Sequence, residues 1–528
     1  MRKLLAALIY FIAQIVSAQT EQGSIELPDF VITGRQSVDV LNAAKKQPEL
    51  VSTLSKDFFV PQYSPEELPL LIQSESLPVK PSLYSDDFYN GYLGVGLGTH
   101  TFPEGNFKLA GTIGHYLFAL NMWGSNIKDY TAYSDINNSG VSLSNDFFIN
   151  SKSDLFAGSK LNITGKYEKK AFYFFGSVNP MYARKTEFGS GGFSFRNDYS
   201  TLFKYGIELN AQFFTLSDIN LRETNLHVIP NFEFRIGRMK FGTDGLYWKQ
   251  LLKNNVSNID DYDYYYIGPY MKIEPINTIS LKIGAVYASN SNNTFFAPQA
   301  FLQFMLSDAL TLYAEYKPHT EFNTIYNFVN NNFYAMNGLV DNLFEEINFD
   351  LSSTIKYDLG NYFSASVTGE FLKADNYLYY DDTIQQGFFD VKGANDIDKL
   401  KFSCDLLFNG GPNGYLIGKG VYQSVKFSNG NFIPYEPKFN VSLSYGYDFS
   451  FGLSLKAGYE FINGSFADVA NSVELDAYHN ISAAVAYKLF NSLSVKADFQ
   501  NILNRSNFTL KNYEGKPFDI IVGIDYRW

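Results

Sequence analysis

The chain of 528 residues carries a net charge of −12 and a single cysteine, Cys404. The acidic balance leaves no basic stripe to neutralise a phosphate backbone, so nucleic acid is excluded as a partner. One cysteine permits no disulfide framework. The 39 tyrosines, 49 phenylalanines and 40 glycines against only 3 tryptophans lean towards β-structure.

The first residues, MRKLLAALIYFIAQIVSAQ, read as a signal peptide spanning 1–18. Arg2 and Lys3 form a positive start, Leu4 to Val16 an apolar stretch, and Val16-Ser17-Ala18 a small-residue cleavage site. Export through a cleaved signal peptide is the expectation. Beyond it no apolar run is long enough for a transmembrane helix.

Residues 19–88 differ in character from the longer remainder of the chain. They hold seven of the 18 prolines and little sustained period. Proline fixes its own φ, restricts its predecessor and cannot donate to a ladder. An extended N-terminal segment is expected, with one short helix around Val40 to Lys46.

From about residue 89 to Trp528 the period is two. In the last stretch Phe518, Ile520, Val522, Ile524, Tyr526 and Trp528 alternate with Asp519, Ile521, Gly523, Asp525 and Arg527. Leu400-Phe402-Cys404-Leu406-Phe408 alternates with Lys401, Ser403 and Asp405, which places Cys404 on an apolar face. A soluble sandwich also alternates. Two features favour a membrane barrel instead. Short links such as Gly237-Arg238, Asn277-Thr278 and Phe490-Asn491 take turns with long polar loops, and Tyr and Phe recur near strand ends. The fold class is therefore all-β, a transmembrane antiparallel β-barrel of about 22 strands (20–22) over residues 89–528. The longest loops are expected around Ser125–Ser153, Leu251–Tyr262, His319–Glu345 and Tyr380–Gln386, and parity places them outside the cell.

The stretch Glu26-Leu27-Pro28-Asp29-Phe30-Val31-Ile32-Thr33-Gly34 resembles the TonB-box region of TonB-dependent receptors. "FQNILNRSNF" (Phe499 to Phe508) resembles that family's penultimate-strand motif. The aromatic terminus Trp528, with Phe518, Ile520, Val522, Ile524 and Tyr526, is similar to the signal read by the barrel assembly machinery. The resemblance implies an outer-membrane transport protein importing a nutrient, a barrel in outer-membrane lipid, and pairing of Glu26 to Gly34 with TonB by β-augmentation. One departure stands out. The family's globular plug is longer than residues 35–88, so the resemblance implies that either those residues or a partner, a separate plug or surface-binding protein, fills that role. A passive porin-like channel, or a structural and docking barrel without energy coupling, stays open as the second reading.

No catalytic elbow occurs, and no enzyme is expected. The five histidines lack ligand spacing, so neither a metal site nor a cofactor is implied. Lys456, Glu460, Lys496, Asp498, Asp525 and Arg527 are the lumen-lining candidates, a mixed-sign set suited to polar solutes. Tyr326, Phe328, Phe333 and Tyr334, set among asparagines, either meet a solute or fold inward and constrict the pore.

Overall fold

The computed structural model describes residues 90–528 apart from 150–155, 199, 201, 254–260, 291–292, 336–342, 361, 384 and 412–413. The signal peptide, the extended segment 19–88 with its helix near Val40, and the stretch 26–34 lie outside the described residues.

The alternation produces one sheet closed on itself. Among the described residues 23 strand segments share it, and every pairing between its strands is antiparallel. Leu310–Tyr316 and His319–Phe322 both pair with Phe344–Leu359, forming one strand interrupted at Lys317-Pro318. The barrel therefore has 22 strands. Gly91–Gly98 closes it, pairing with Thr101–Ile113 on one side and Asp519–Arg527 on the other. Closure removes the unpaired edge that lipid would not tolerate. No helix among the described residues is long and apolar enough to cross a membrane.

The two faces separate as period two requires. In the last strand Val522, Ile524 and Tyr526 are 53, 49 and 44% exposed, whereas Asp519 and Ile521 are 0 and 2%. Leu400, Phe402 and Phe408 point outward in the same way, and Cys404 is exposed in their row. An exposed apolar belt on a closed barrel is the surface that lipid covers.

Links at one end are tight. Gly237 at φ 59° turns Leu221–Ile236 into Met239–Lys253 through two residues, a backbone twist that other residues rarely adopt. We call this the turn end and the opposite one the loop end. The separation is incomplete, since Thr99-His100 and 217–220 are short links at the loop end.

One expectation is corrected. Ser125–Ser153 is not a long loop, because Ile136–Ile149 is a strand within it. Its inward row, Asn138-Gly140-Ser142-Ser144, is small and polar and hides the outward Val141, Leu143, Phe147 and Ile149. Ala183–Asn197, Gly91–Gly98 and Thr101–Ile113 are further strands of the same sheet.

The seam is fastened at both ends. At the loop end the buried Asp519 carboxylate accepts hydrogen bonds from Thr99 Oγ1 (2.6 Å), the His100 amide (2.9 Å) and Thr101 Oγ1 (2.6 Å), and from Lys516 Nζ (2.7 Å). Such charge-assisted bonds are about twice as strong as neutral ones. At the turn end the Trp528 carbonyl accepts from the amides of Asn90 (2.6 Å) and Gly91 (3.0 Å).

Candidate functional site

The described residues 323–335, which follow Phe322, fold into the barrel. Thr324 caps a short helix, Ile325–Asn331, its hydroxyl accepting from the Asn327 amide at 3.0 Å. Ile325 and Val329, one turn apart, are the buried residues. Seven residues do not hold a helix alone. The wall supplies what is missing. The carboxylate of Glu223, 0% exposed on Leu221–Ile236, accepts from the amides of Ile325 and Tyr326, each at 3.0 Å, and from Gln250 Nε2. Tyr326 stacks on Phe188 with centroids 3.9 Å apart and meets Phe214 edge-on.

Further along, Arg184 takes hold of the segment. Its guanidinium donates to Asp218 Oδ2 (2.9 and 2.8 Å) and to the Ala335 carbonyl, and lies over the Phe174 ring at 4.7 Å. The side chains of Arg184 and Asp218 are 0 and 2% exposed. Lys170 Nζ donates to Asn330 Oδ1 at 3.1 Å. The segment thus crosses the mouth to Ser159–Tyr173, Ala183–Asn197 and Leu221–Ile236, none of which neighbours the strands it grows from.

Loops from elsewhere on the rim meet it there. The hairpin Tyr377–Asp381 with Asp390–Ala394 rises between Phe363–Asp375 and Ile397–Asn409. Tyr380 of this hairpin donates to the Phe328 carbonyl at 2.9 Å, and the Phe389 amide to the Tyr334 carbonyl at 3.2 Å. Tyr513, from the connection before the last strand, stacks on Tyr334 with centroids 3.6 Å apart and donates to the Gly387 carbonyl at 2.6 Å. Burial pushes the Tyr513 phenol above its ordinary range, which keeps its proton in place for that bond. Ile127, Phe172, Phe174, Tyr334, Phe388, Phe389, Leu510 and Tyr513 form one buried apolar cluster. It is a closure made of loops, with aromatic pairs contributing about 0.5–1.5 kcal/mol each beyond buried area.

Beside this closure lies a cavity of about 410 Å³. Glu321, Glu345, Asp350, Glu370 and Glu436 line it against His319 and Lys399. His319 Nε2 approaches Glu321 at 3.5 Å and its Nδ1 approaches Asp350 at 3.7 Å. Tyr377 donates to Glu436 at 3.1 Å and Gln423 donates to it at 2.8 Å. Burial, with Glu436 beside it, raises the Tyr377 phenol well above its ordinary value, so it stays a donor. The cavity is polar, net acidic and edged by Phe328, Tyr379 and Tyr380. No group of three or more His, Cys, Asp or Glu among the described residues is placed to hold a metal.

The lumen-lining candidates are brought together only in part. Lys496 lies 3.5 Å from Asp525, 3.7 Å from Glu104 and 4.0 Å from Asp498, so three candidates meet in one charged group. Asp525 also accepts from Tyr92 at 2.8 Å. Lys456 and Glu460 stand on Leu453–Asn463, opposite Ala484 and Asn480, and Ala484 in turn faces Asp498, so Lys456 lies two strands along the row from that group. Arg527 stands opposite Tyr92. Trp528, with its ring 5.5 Å from Tyr526, ends the outward row of Val522, Ile524 and Tyr526, while Phe518 and Ile520 are half-buried nearer the loop end. Glu26 to Gly34 lie outside the described residues. Tyr326 and Tyr334, expected to meet a solute or to fold inward, fold inward. Glu223, Arg184 and Asp218 were missed because their partners lie far along the chain. The signal available was an ionisable residue on the face opposite the apolar row, and many strands share it.

The fold and its closed mouth define a 22-strand barrel like those of outer-membrane receptors. No protein-family model and no curated protein matches the chain. Solved structures do, among them import receptors for ferric catecholates and siderophores and an iron transporter. The ferric-catecholate import receptor Fiu of E. coli K12 shares 11% identity over 83% of this chain and 82% of its own, with a TM-score of 0.64. The FrpB iron transporter of Neisseria meningitidis shares 11% over 83 and 81%, at 0.64. The siderophore receptor PiuA of Acinetobacter baumannii shares 12% over 83 and 81%, at 0.62. At these identities the likeness is one of fold.

Proposed function

We propose that the chain is an outer-membrane transport protein that imports a nutrient too large for general diffusion. The loop end faces outward, and TonB engages Glu26 to Gly34 from the periplasm. The observation that carries this reading is the closed mouth. Tyr334, Phe389 and Tyr513 bring three connections from different parts of the rim into one contact. A pore for free diffusion gains nothing from such a roof, whereas a receptor needs a barrier that ligand or coupling opens. The fold likeness to iron and siderophore import proteins supports import. The acidic cavity favours a neutral or cationic polar solute over an anionic one.

Export follows from residues 1–18 and insertion from the assembly machinery reading the Trp528 strand. Segment 19–88, or a separate plug protein, supplies whatever blocks the turn end. The test is growth on a complex nutrient mixture as a function of coupling. Val31→Pro removes an amide from the paired strand. Loss of growth in cells carrying it, matched by loss of TonB, supports energy-coupled import. Unchanged growth with the variant supports the passive or docking barrel.

A further inference from the structure

The outward face of the sheet changes character along one hydrogen-bonded row near the loop end. Across five neighbouring strands Lys169 stands opposite Glu187, Glu187 opposite Thr215, Thr215 opposite Arg222, and Arg222 opposite Lys253. Lys185 lies on the same face one step nearer the loop end. These side chains point away from the lumen. Arg222 is exposed between the buried Leu221 and Glu223, Lys253 follows the buried Leu252, and Lys185 sits between the buried Arg184 and Thr186.

On the membrane side the next outward row contains Tyr167, Phe213 and Leu251, the one below it Leu226 and a Lys249 neutralised by Asp263 at 3.4 Å, and rows further down contain Ile163, Phe193 and Leu209. The charged row therefore borders the apolar belt, at the level where lipid headgroups lie. Lys169 is paired with Glu187 at 3.2 Å. Lys185, Arg222 and Lys253 have no carboxylate within ion-pair distance among the described residues. Like charges directly opposite each other on neighbouring strands are destabilising. Arg222 opposite Lys253 is such a pair, and an anion between them turns repulsion into attraction.

We propose that this arc binds the phosphate groups of outer-leaflet lipid headgroups, with Arg222 and Lys253 clasping one phosphate and Lys185 adding to the field. The assignment to the outer leaflet rests on the loop end facing outward. It is independent of what the barrel transports. A guanidinium offers two parallel donors to phosphate oxygens and an ammonium a point charge, the combination that anchors a phosphate at a crowded interface.

The test uses the full mature chain in detergent, with lipid A as the probe and native mass spectrometry as the readout. The wild type is expected to retain lipid A and to release a dephosphorylated lipid A of the same acyl pattern. The Lys185→Gln, Arg222→Gln, Lys253→Gln triple variant is expected to bind lipid A about a hundredfold more weakly, from the worth of each basic side chain at an anionic surface. Lys373→Gln removes a cation paired with Asp398 on another arc, 3.2 Å away, and is expected to bind as the wild type does. Equal retention of the two lipids by the wild type overturns the proposal without any variant having to fold. Lipid A held as tightly by the triple variant as by the wild type overturns it too. Full displacement of lipid A by inorganic phosphate alone overturns the lipid assignment and leaves a simple anion site.

Discussion

Tyr334 lies flat against Tyr513, their ring centroids 3.6 Å apart and their planes 19° from parallel. One belongs to the segment that enters the lumen, the other to the connection before the closing strand. Their contact joins two parts of the rim that share no hydrogen-bonded strands. Tyr334→Ala and Tyr513→Ala are each expected to loosen the roof, and the pair is expected to couple by about 0.5–1.5 kcal/mol. A double-mutant cycle on urea unfolding in vesicles measures it, and strict additivity would remove the stack from the account.

Arg184 and Asp218 are buried together, so each carries the other. Arg184→Met leaves the carboxylate alone in the interior, at an expected cost of about 3–5 kcal/mol. Adding Asp218→Leu should restore most of it, because an apolar pair of similar bulk needs no compensation. The unfolding midpoint of the single and double variants decides.

Glu223 satisfies two amides at the start of the short helix, at 3.0 Å each. Glu223→Ala is expected to leave both unpaired, at about 1–3 kcal/mol for each buried donor. Hydrogen exchange at Ile325 and Tyr326 should speed up while exchange in the barrel strands stays as it was. Glu223→Gln keeps an acceptor and should lie between the two.

Glu223, Arg184 and Asp218 also mark where sequence reading stops. The alternation of Val522, Ile524 and Tyr526 with Ile521, Gly523 and Asp525 is local, so strand, face and barrel are legible from it. The strand Ile136–Ile149 was not, because an inward row of Asn, Gly and Ser reads as loop when the inside of the barrel is polar. The inward course of the segment with Tyr326 and Tyr334 was one of two open outcomes. What decides it is the contact with Glu223, Arg184 and Phe188, residues brought there only by closure of the barrel. The acidic cavity was missed for the same reason. Glu321, Glu345 and Glu436 are separated in the chain and meet only in three dimensions.

In the connection between Leu453–Asn463 and Tyr478–Phe490, burial would raise the Asp468 carboxyl, but donation from Ser472 Oγ (2.7 Å) and the Val473 and Ser472 amides (2.8 and 3.1 Å) outweighs it and holds the group below its ordinary value of 3.8. A depressed folded-state value stabilises the connection above the ordinary value, and the stabilisation disappears as pH falls through the folded one. Amide exchange at Ser472 and Val473, corrected for its intrinsic pH dependence, should therefore be steady from neutral pH to about 4 and rise below it. Asp468→Asn should abolish that step.

The most direct test of the closed mouth is the conductance of the refolded mature protein in a planar bilayer. It is set beside a chain beginning at Ser85 and the same shortened chain carrying Tyr334→Ala and Tyr513→Ala. The account predicts a silent full-length protein, a chain from Ser85 that stays silent because the roof remains, and stepwise conductance once the two tyrosines are removed. Large, steady openings from the unmodified full-length protein would contradict it.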